Sequence, residues 1–582
     1  MYFNQVFKNF KAKFNLAFDP GEKKNLLKVL ILMIFGSFLE LCGIGLIVPL
    51  IKVFTDKEFL NSIYNIIGIT PIDINFLIFI SISFFLLFFL SKNFYLWFIL
   101  KKYSFFFSNY EANLQTKLFN GYLKNSVTFF KENNSSQIVT NIISISSFFS
   151  SVYLNALINV TLDIIMLILI LILLLYFSWQ STILIFVVFG SLVFLLYRSS
   201  KKQLFEIGKT RNKFSAIQLA NVQEAIKGIK EIKLTGRENF FSEQFIKTTS
   251  ILANASYKNA VISGTPRLFV EFISVASIAS IVFFLTSLGK TFNEILPILG
   301  LFLAAAYKMI PTLNKILLMF NRLKFSGDAV NKIIDLLDSF KNYENHNFQK
   351  FNSQRKIDFK NLSIKNLHFT YEKRNKIILE NVNINIKKNS FIGIKGESGT
   401  GKSTFVDLLM GVLSPTSGQI YIDDVPLSEI INDWQYSIGY VDQNIFLLPG
   451  NIIKNIAFGI PDEKVDMQLI REVVEKSALK KFVDNLDNGL NTNIGEGGAM
   501  ISGGQRQRIG IARALYNRPK ILIFDEATSA LDIETENEIL NEVNQLKNEI
   551  TMISISHRNS TVRHCDVIFN LKDGSLTSYN NF

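Results

Sequence analysis

The sequence predicts two fused folds, an all-α membrane domain of six spans followed by an α/β domain built on a parallel sheet. Three observations carry this. No charged residue occurs between Ile164 and Tyr197, a stretch too long for one helix across a hydrocarbon core of about 30 Å. Apolar runs of spanning length stop at Phe320. From Ile357 onward, short apolar runs such as Phe391–Ile394 and Ile521–Phe524 alternate with helical patterns and glycine turns.

In chain order, a basic leader with Lys8, Lys11, Lys13, Lys23, Lys24 and Lys28 reads as an interfacial helix over residues 1–28. No small-residue cleavage site follows it, and no accessory domain is expected within so short a leader. The membrane domain occupies residues 29–325. Its first span runs from about Val29 to Ile51 with Glu40 as the only charge, and its second from Ile74 to about Leu100, interrupted by Lys92. Ser178-Trp179-Gln180-Ser181 divides the uncharged stretch into spans three and four, and Ser263–Leu288 and Ile295–Phe320 supply the last two. Between Asp56 and Ile67 the apolar residues have helical spacing, which predicts a short external amphipathic helix. A polar Asn- and Lys-rich linker covers residues 326–355, and the α/β domain residues 356–582.

Cations set the orientation. The leader and the connections around residues 101–151 and 198–262 are rich in Lys and Arg, whereas 52–73, 178–181 and 289–294 are short and nearly neutral. The positive-inside tendency therefore places both termini and the α/β domain in the cytoplasm. The net charge of +13 does not point to nucleic acid, because the cations lie between apolar runs and not on one face. Two cysteines and four histidines leave no disulfide framework and little room for a metal centre of side-chain nitrogen and sulfur.

The α/β domain carries the chemistry. Gly396-Glu397-Ser398-Gly399-Thr400-Gly401-Lys402-Ser403 follows the strand Phe391–Ile394 and opens a helix at Thr404. Glycines let backbone N–H groups wrap phosphate at a helix N-terminus, Lys402 reaches the β- and γ-phosphates, and Ser403 offers a hydroxyl to Mg²⁺. The strand Ile521–Phe524 ends in Asp525 and Glu526. A buried parallel strand delivers both acids beside the phosphate loop, where Asp525 can hold Mg²⁺ and Glu526 can polarise a water. Ser502-Gly503-Gly504-Gln505 opens a basic helix, Arg506–Leu515, and is a second candidate anion site.

Taken with Ser529-Ala530-Leu531-Asp532 and Ser556-His557-Arg558, these motifs resemble the nucleotide-binding domain of ABC transporters; the set spans residues 371–558 in the family's order. The resemblance implies ATP and Mg²⁺ as ligands. It implies that Tyr371 stacks on adenine, that Thr404 and Asp532 complete the ATP site, and that Gln443 meets Mg²⁺ and the water. His557 would bind the γ-phosphate, and Glu526 would be the general base. Ile501 stands where the family usually has Leu, a swap that conserves volume. In this family each ATP is sandwiched between the phosphate loop of one domain and the signature of another. A chain with one of each therefore implies a homodimer, with pairing to a different half-transporter as the alternative.

Six spans, long intracellular connections and a C-terminal ATPase resemble the exporter class, which implies the type IV exporter fold. Coupling elements are expected near Phe129–Gln137 and Thr235–Phe241. Across most of its length the chain also looks like the Pgl-type bacterial flippases of lipid-linked oligosaccharides used in protein N-glycosylation. The residues concerned are Glu40 and Pro49, Pro266-Arg267, and Tyr307-Lys308-Met309-Ile310-Pro311. This likeness implies a polyprenyl-diphosphate-linked oligosaccharide moved from the cytoplasmic to the outer leaflet of a bacterial inner membrane.

Counting inward at 1.5 Å per residue, Lys308 lies about 20 Å deep, Lys92 about 27 Å and Arg267 about 33 Å. Charges inside spans are costly and often functional, so these three cations could bind the diphosphate. Against that stand three acids, Glu40, Asp163 and Glu271, with which the cations could simply pair. An exporter of drugs, of lipids such as lipid A, or of peptides is the alternative. A channel or regulator that hydrolyses little ATP is disfavoured by intact Glu526 and His557.

Overall fold

The computed structural model describes residues 16–55, 74–177, 179–287, 292–347, 355–371, 377–397, 399–527, 533–556 and 564–579. Two compact units divide the chain, residues 1–348 and 349–582. The external segment 56–67 and most of the leader lie outside the described residues.

The elements described in the first unit are all helices. Helix α1 (Pro20–Gly45) begins at Asp19, whose backbone N–H donates to Glu22 Oε2 at 3.0 Å in a capping box. The later part of the expected leader is therefore continuous with the first span, which α2 (Ile47–Thr55) completes. Helix α3 (Ile74–Leu123) has 50 residues, about 75 Å at 1.5 Å per residue, so it projects far beyond any bilayer. Short helices α4 (Val127–Glu132) and α5 (Ser135–Thr140) turn the chain, capped by Ser126 and Asn134. The return passes through two wide π-helical stretches, Asn141–Ile145 and Phe148–Leu154, into α6 (Asn155–Phe177). Helices α7 (Trp179–Lys227), α8 (Ile229–Thr235), α9 (Glu238–Ser287) and α10 (Phe292–Phe325) follow. Among the described residues the six expected spans thus fall within helices, apart from the break at Leu46 between α1 and α2. Among the described residues, Pro20–Val53, Phe76–Leu123 and Ser135–Tyr176 are long and apolar enough to cross a membrane.

The two expected coupling segments coincide with breaks between long helices. The first holds α4 and the start of α5. The second straddles Gly236, whose φ of +62° ends α8 in a left-handed turn that glycine adopts without strain.

The expected linker needs correcting. Residues Gly327–Asn347 form helix α11, and Ala329, Val330, Ile333, Ile334, Leu337 and Phe340 are buried against α3, α1 and the π-helical return. Their spacing of three and four places them on one face, so a segment polar on average still carries a buried stripe.

The second unit contains two sheets. Strands β1 (Asn361–Thr370), β2 (Ile377–Lys387), β4 (Ser417–Ile422) and β5 (Val425–Pro426) form an antiparallel sheet in the order β2-β1-β4-β5. The other runs β10-β9-β3-β8-β7-β6, from β3 (Phe391–Lys395), β6 (Ile438–Val441), β7 (Ile521–Asp525), β8 (Thr551–Ile555), β9 (Val567–Lys572) and β10 (Ser575–Tyr579). Five of its strands are parallel and β10 is antiparallel. Strands β7 and β8 are buried at every position, as expected of parallel strands covered on both faces. Helix α12 (Lys402–Leu409) follows the glycine loop after β3, and α13 (Gly503–Tyr516) follows Ser502.

Candidate functional site

The parallel pairing of β3, β8 and β7 brings the loop after β3 and the tip of β7 to one end of the sheet, the usual position for ligands in parallel α/β folds. Gly401 precedes α12 at a φ of +102°, and no side chain caps that helix. Its first-turn N–H groups are accordingly offered to an anion. Gly396 is buried, and a Cβ there would stand 2.7 Å from the Leu571 carbonyl oxygen. Lys402 Nζ donates to the carbonyls of Gly396 and Glu397, both at 2.9 Å, and lies 3.8 Å from Glu526. Burial pushes its ammonium below the ordinary lysine value, while Glu526 and Asp525 pull it back up. Glu397, Gly399 and Thr400 complete the loop, with Thr400 Oγ1 donating to the Glu397 carbonyl at 2.9 Å. Ser398 lies outside the described residues.

The two acids sit differently. Asp525 is buried at the end of β7 and hydrogen-bonded to the Ser403 hydroxyl. Burial raises its pKa, and Asp442 and Glu526 raise it further, against the hydrogen bonds from Ser403 and Tyr440. Tyr440 OH donates to Asp525 Oδ2 at 3.4 Å, and burial first, then Asp525, drives the phenol upward. Glu526 adopts a φ of +47°, a strained conformation for a non-glycine residue, held by its N–H donating to the Ile555 carbonyl at 3.0 Å. Gln443 Nε2 donates to Glu526 Oε2 at 3.0 Å. The Ser403 hydroxyl, the Asp525 carboxylate and the remaining carbonyl oxygen of Gln443 are all hard oxygen donors, which suits Mg²⁺.

Tyr371 packs edge-on against Phe369 at 4.9 Å, and its hydroxyl meets Thr404 Oγ1 at 3.2 Å. It therefore stands at the start of α12, beside the phosphate loop. Ser502 and Gln505 close a capping box on α13, with Ser502 N donating to Gln505 Oε1 at 2.8 Å and Gln505 N to Ser502 Oγ at 3.3 Å. Gly503 and Gly504 occupy its first turn. Asp532 and His557 fall outside the described residues.

Sequence reasoning missed Tyr440, although strand alternation on β6 puts it on a face opposite Val441. It also missed Arg513 on α13. That guanidinium donates to the Asn455 carbonyl and the Phe446 carbonyl, both at 2.8 Å, and lies over the Phe458 ring at 4.7 Å. It clamps the segment that follows Gln443.

In the first unit the three cations separate. Lys308 Nζ lies 2.6 Å from Glu40 Oε1, an ion pair between α10 and α1. Lys92 on α3 packs over the Phe89 ring at 4.2 Å, close enough to Glu40 and Lys308 to feel both charges. Arg267 on α9 is exposed, and among the described residues it forms no ion pair with Glu271, whatever the helical spacing allows. Asp163 on α6 instead pairs with Lys315 on α10 at 3.1 Å, a partner outside the predicted set.

A helical membrane unit and a phosphate-loop ATPase unit on one chain define an ATP-driven membrane transporter. Residues 8–302 match the family described as ABC transporter transmembrane region, and residues 379–529 match the family described as ABC transporter. The chain belongs to the ABC transporter family, with the make-up of an exporter half-transporter, and it couples ATP hydrolysis to transport. It is 28% identical over 466 residues, 80% of this chain and 78% of the relative, to the ATP-dependent lipid A-core flippase of Ralstonia nicotianae. The flippase of the same name from Wigglesworthia glossinidia brevipalpis is 27% identical over 81% of this chain and 80% of its own. The alpha-hemolysin translocation ATP-binding protein HlyB of Proteus vulgaris is 40% identical over 251 residues, 43% of this chain and 34% of that protein. A bacterial Atm1-family ABC exporter with ATP bound shares the fold, with a TM-score of 0.78 at 20% identity over 96% of this chain and 95% of the other.

Proposed function

We propose that the chain acts as a homodimer in a bacterial inner membrane and flips an anionic lipid, a polyprenyl-diphosphate-linked oligosaccharide, from the cytoplasmic to the outer leaflet. The observation that carries this is the half-buried Lys92 beside the Lys308–Glu40 pair, with Glu40 and Lys92 on helices of membrane-spanning composition. A cation at that depth is costly unless an anion visits it. ATP is held by Tyr371, the loop Gly396–Thr404 and, from a second copy, Ser502–Gln505 and Asp532. Ser403, Asp525 and Gln443 hold Mg²⁺, which supplies charge neutralisation at the phosphates. Glu526 accepts the proton of the attacking water, and Gln443 holds Glu526 in place. His557 binds the γ-phosphate.

A second reading, a glycolipid of the lipid A type, is favoured by the names of the relatives. Reconstituted vesicles distinguish the two. ATP-dependent movement of the polyprenyl-diphosphate oligosaccharide, abolished by Glu526→Gln and weakened by Lys92→Gln, is the expected result. Brisk movement of lipid A with none of the oligosaccharide overturns the first reading in favour of the second.

A further inference from the structure

Five of the charged residues described among the membrane helices, Glu40, Lys92, Asp163, Lys308 and Lys315, balance in a particular way. Glu40 neutralises Lys308, and two turns further along α10 Asp163 neutralises Lys315. Lys92 has no carboxylate within ion-pair distance among the described residues, and its ammonium rests instead on the face of Phe89. Two paired cations and one standing cation leave this group of charges with a single net positive charge per chain.

Any bilayer that holds this protein confronts the group with abundant anionic phospholipids, most carrying one negative charge. A lone Lys92 would attract them as readily as a rarer substrate. The Glu40 carboxylate changes this balance. A singly charged head group near Lys92 meets repulsion from Glu40 and finds Lys308 already taken. A head group with two or more negative charges can engage both ammonium groups, and its second charge replaces Glu40 on Lys308. The Glu40 and Lys308 side chains are 21% and 33% exposed, so the pair is partly shielded from water yet open to exchange.

We propose that Glu40 is an internal counter-ion that sets a charge threshold: it occupies Lys308 until a lipid head group with at least two negative charges displaces it, and so excludes singly charged membrane lipids. This rests on the reading above that the substrate head is anionic. It assigns Glu40 a specificity role that the carboxylate would not have if the pair served only to stabilise the helices.

The test uses the full chain in nanodiscs of neutral phosphatidylcholine, with ATPase stimulation by polyprenyl diphosphate as the readout and phosphatidylglycerol as the singly charged competitor. Wild type should be stimulated, with a half-maximal concentration indifferent to phosphatidylglycerol. In Glu40→Gln, Lys308 is free, so phosphatidylglycerol should raise that half-maximal concentration about fivefold or more, the scale of a modest coupling between sites. Glu40→Gln combined with Lys308→Gln should lose this sensitivity, since the freed cation is gone, a non-additivity that a purely structural pair would not produce. Glu40→Asp keeps the charge on a shorter arm and should give intermediate sensitivity, which serves if Glu40→Gln does not fold.

The proposal is overturned if Glu40→Gln, or the Asp variant in its place, is as indifferent to phosphatidylglycerol as wild type. It is overturned equally if wild type is already inhibited. Absence of stimulation of wild type by polyprenyl diphosphate would instead overturn the substrate reading. Glu40 would then be judged by direct stimulation with phosphatidylglycerol, expected in Glu40→Gln and absent from wild type.

Discussion

At the scale of single residues, the nucleotide site separates its two acids by backbone as well as by side chain. Asp525 ends a buried strand, whereas Glu526 is turned out of it at a φ of +47° and faces Gln443 and Lys402. Replacing Glu526 by Gln keeps the shape and the hydrogen-bonding capacity and removes only the base. Hydrolysis should fall by roughly 10²- to 10⁴-fold while ATP binding persists, as single-turnover and filter-binding measurements would show. Asp525 has a different signature. Its folded pKa lies above the unfolded value, so the folded chain binds this proton more tightly. The resulting contribution to stability is present at low pH and is lost as pH rises through the folded value. At neutral pH the nucleotide-free protein therefore carries a buried carboxylate at a cost, and Asp525→Asn should melt higher than wild type. That difference should shrink as pH falls toward the ordinary carboxylate range, and hydrolysis should be reduced about 10²-fold or more at every pH. A melting curve for Asp525→Asn below that of wild type at neutral pH would refute the account.

At the scale of elements, what sequence could disclose was whatever is fixed by short-range spacing. The loop Gly396–Ser403 could be read because a tight phosphate turn followed by a helix needs those residue types in that order. The apolar runs that became β3 and β7 were legible for the same reason. The ion pair between Glu40 and Lys308 was not, because the partners are 268 positions apart and only helix packing decides which acid meets which cation. Helix α11 was hidden by its average polarity, although its three-and-four spacing was there to be counted. Arg513 shows a further limit. Its value lies in three carbonyl and amide oxygens of a distant segment, Asn455 and Phe446, which no local pattern announces. A planar guanidinium with several donors fits these acceptors and a lysine does not. Arg513→Lys should thus be nearly as damaging as Arg513→Ala, each destabilising the ATPase unit by about 2–3 kcal/mol. Full recovery by lysine in denaturant titrations would show that charge alone suffices.

At the scale of the whole molecule, one chain holds one phosphate loop and one Ser502–Gln505 segment, the latter capped by its own side chains and not by anything from the loop after β3. The sandwich implied by the family needs a second copy to bring these two anion-binding ends onto one nucleotide. Hydrolysis should then depend on the composition of pairs and not of chains. Wild type mixed with Glu526→Gln chains, dissociated and reassembled before reconstitution, would form three kinds of dimer in binomial proportion. If transport requires both sites, an equal mixture retains about a quarter of the wild-type rate, because only the pairs of two intact chains work. If each site worked alone, the same mixture would retain about half. Transport measured across a series of mixing ratios separates the two, since one falls with the square of the wild-type fraction and the other in proportion to it. The square law is the expected outcome. Both ends of every chain are then in use at once, each chain lending its signature to the ATP held by its partner.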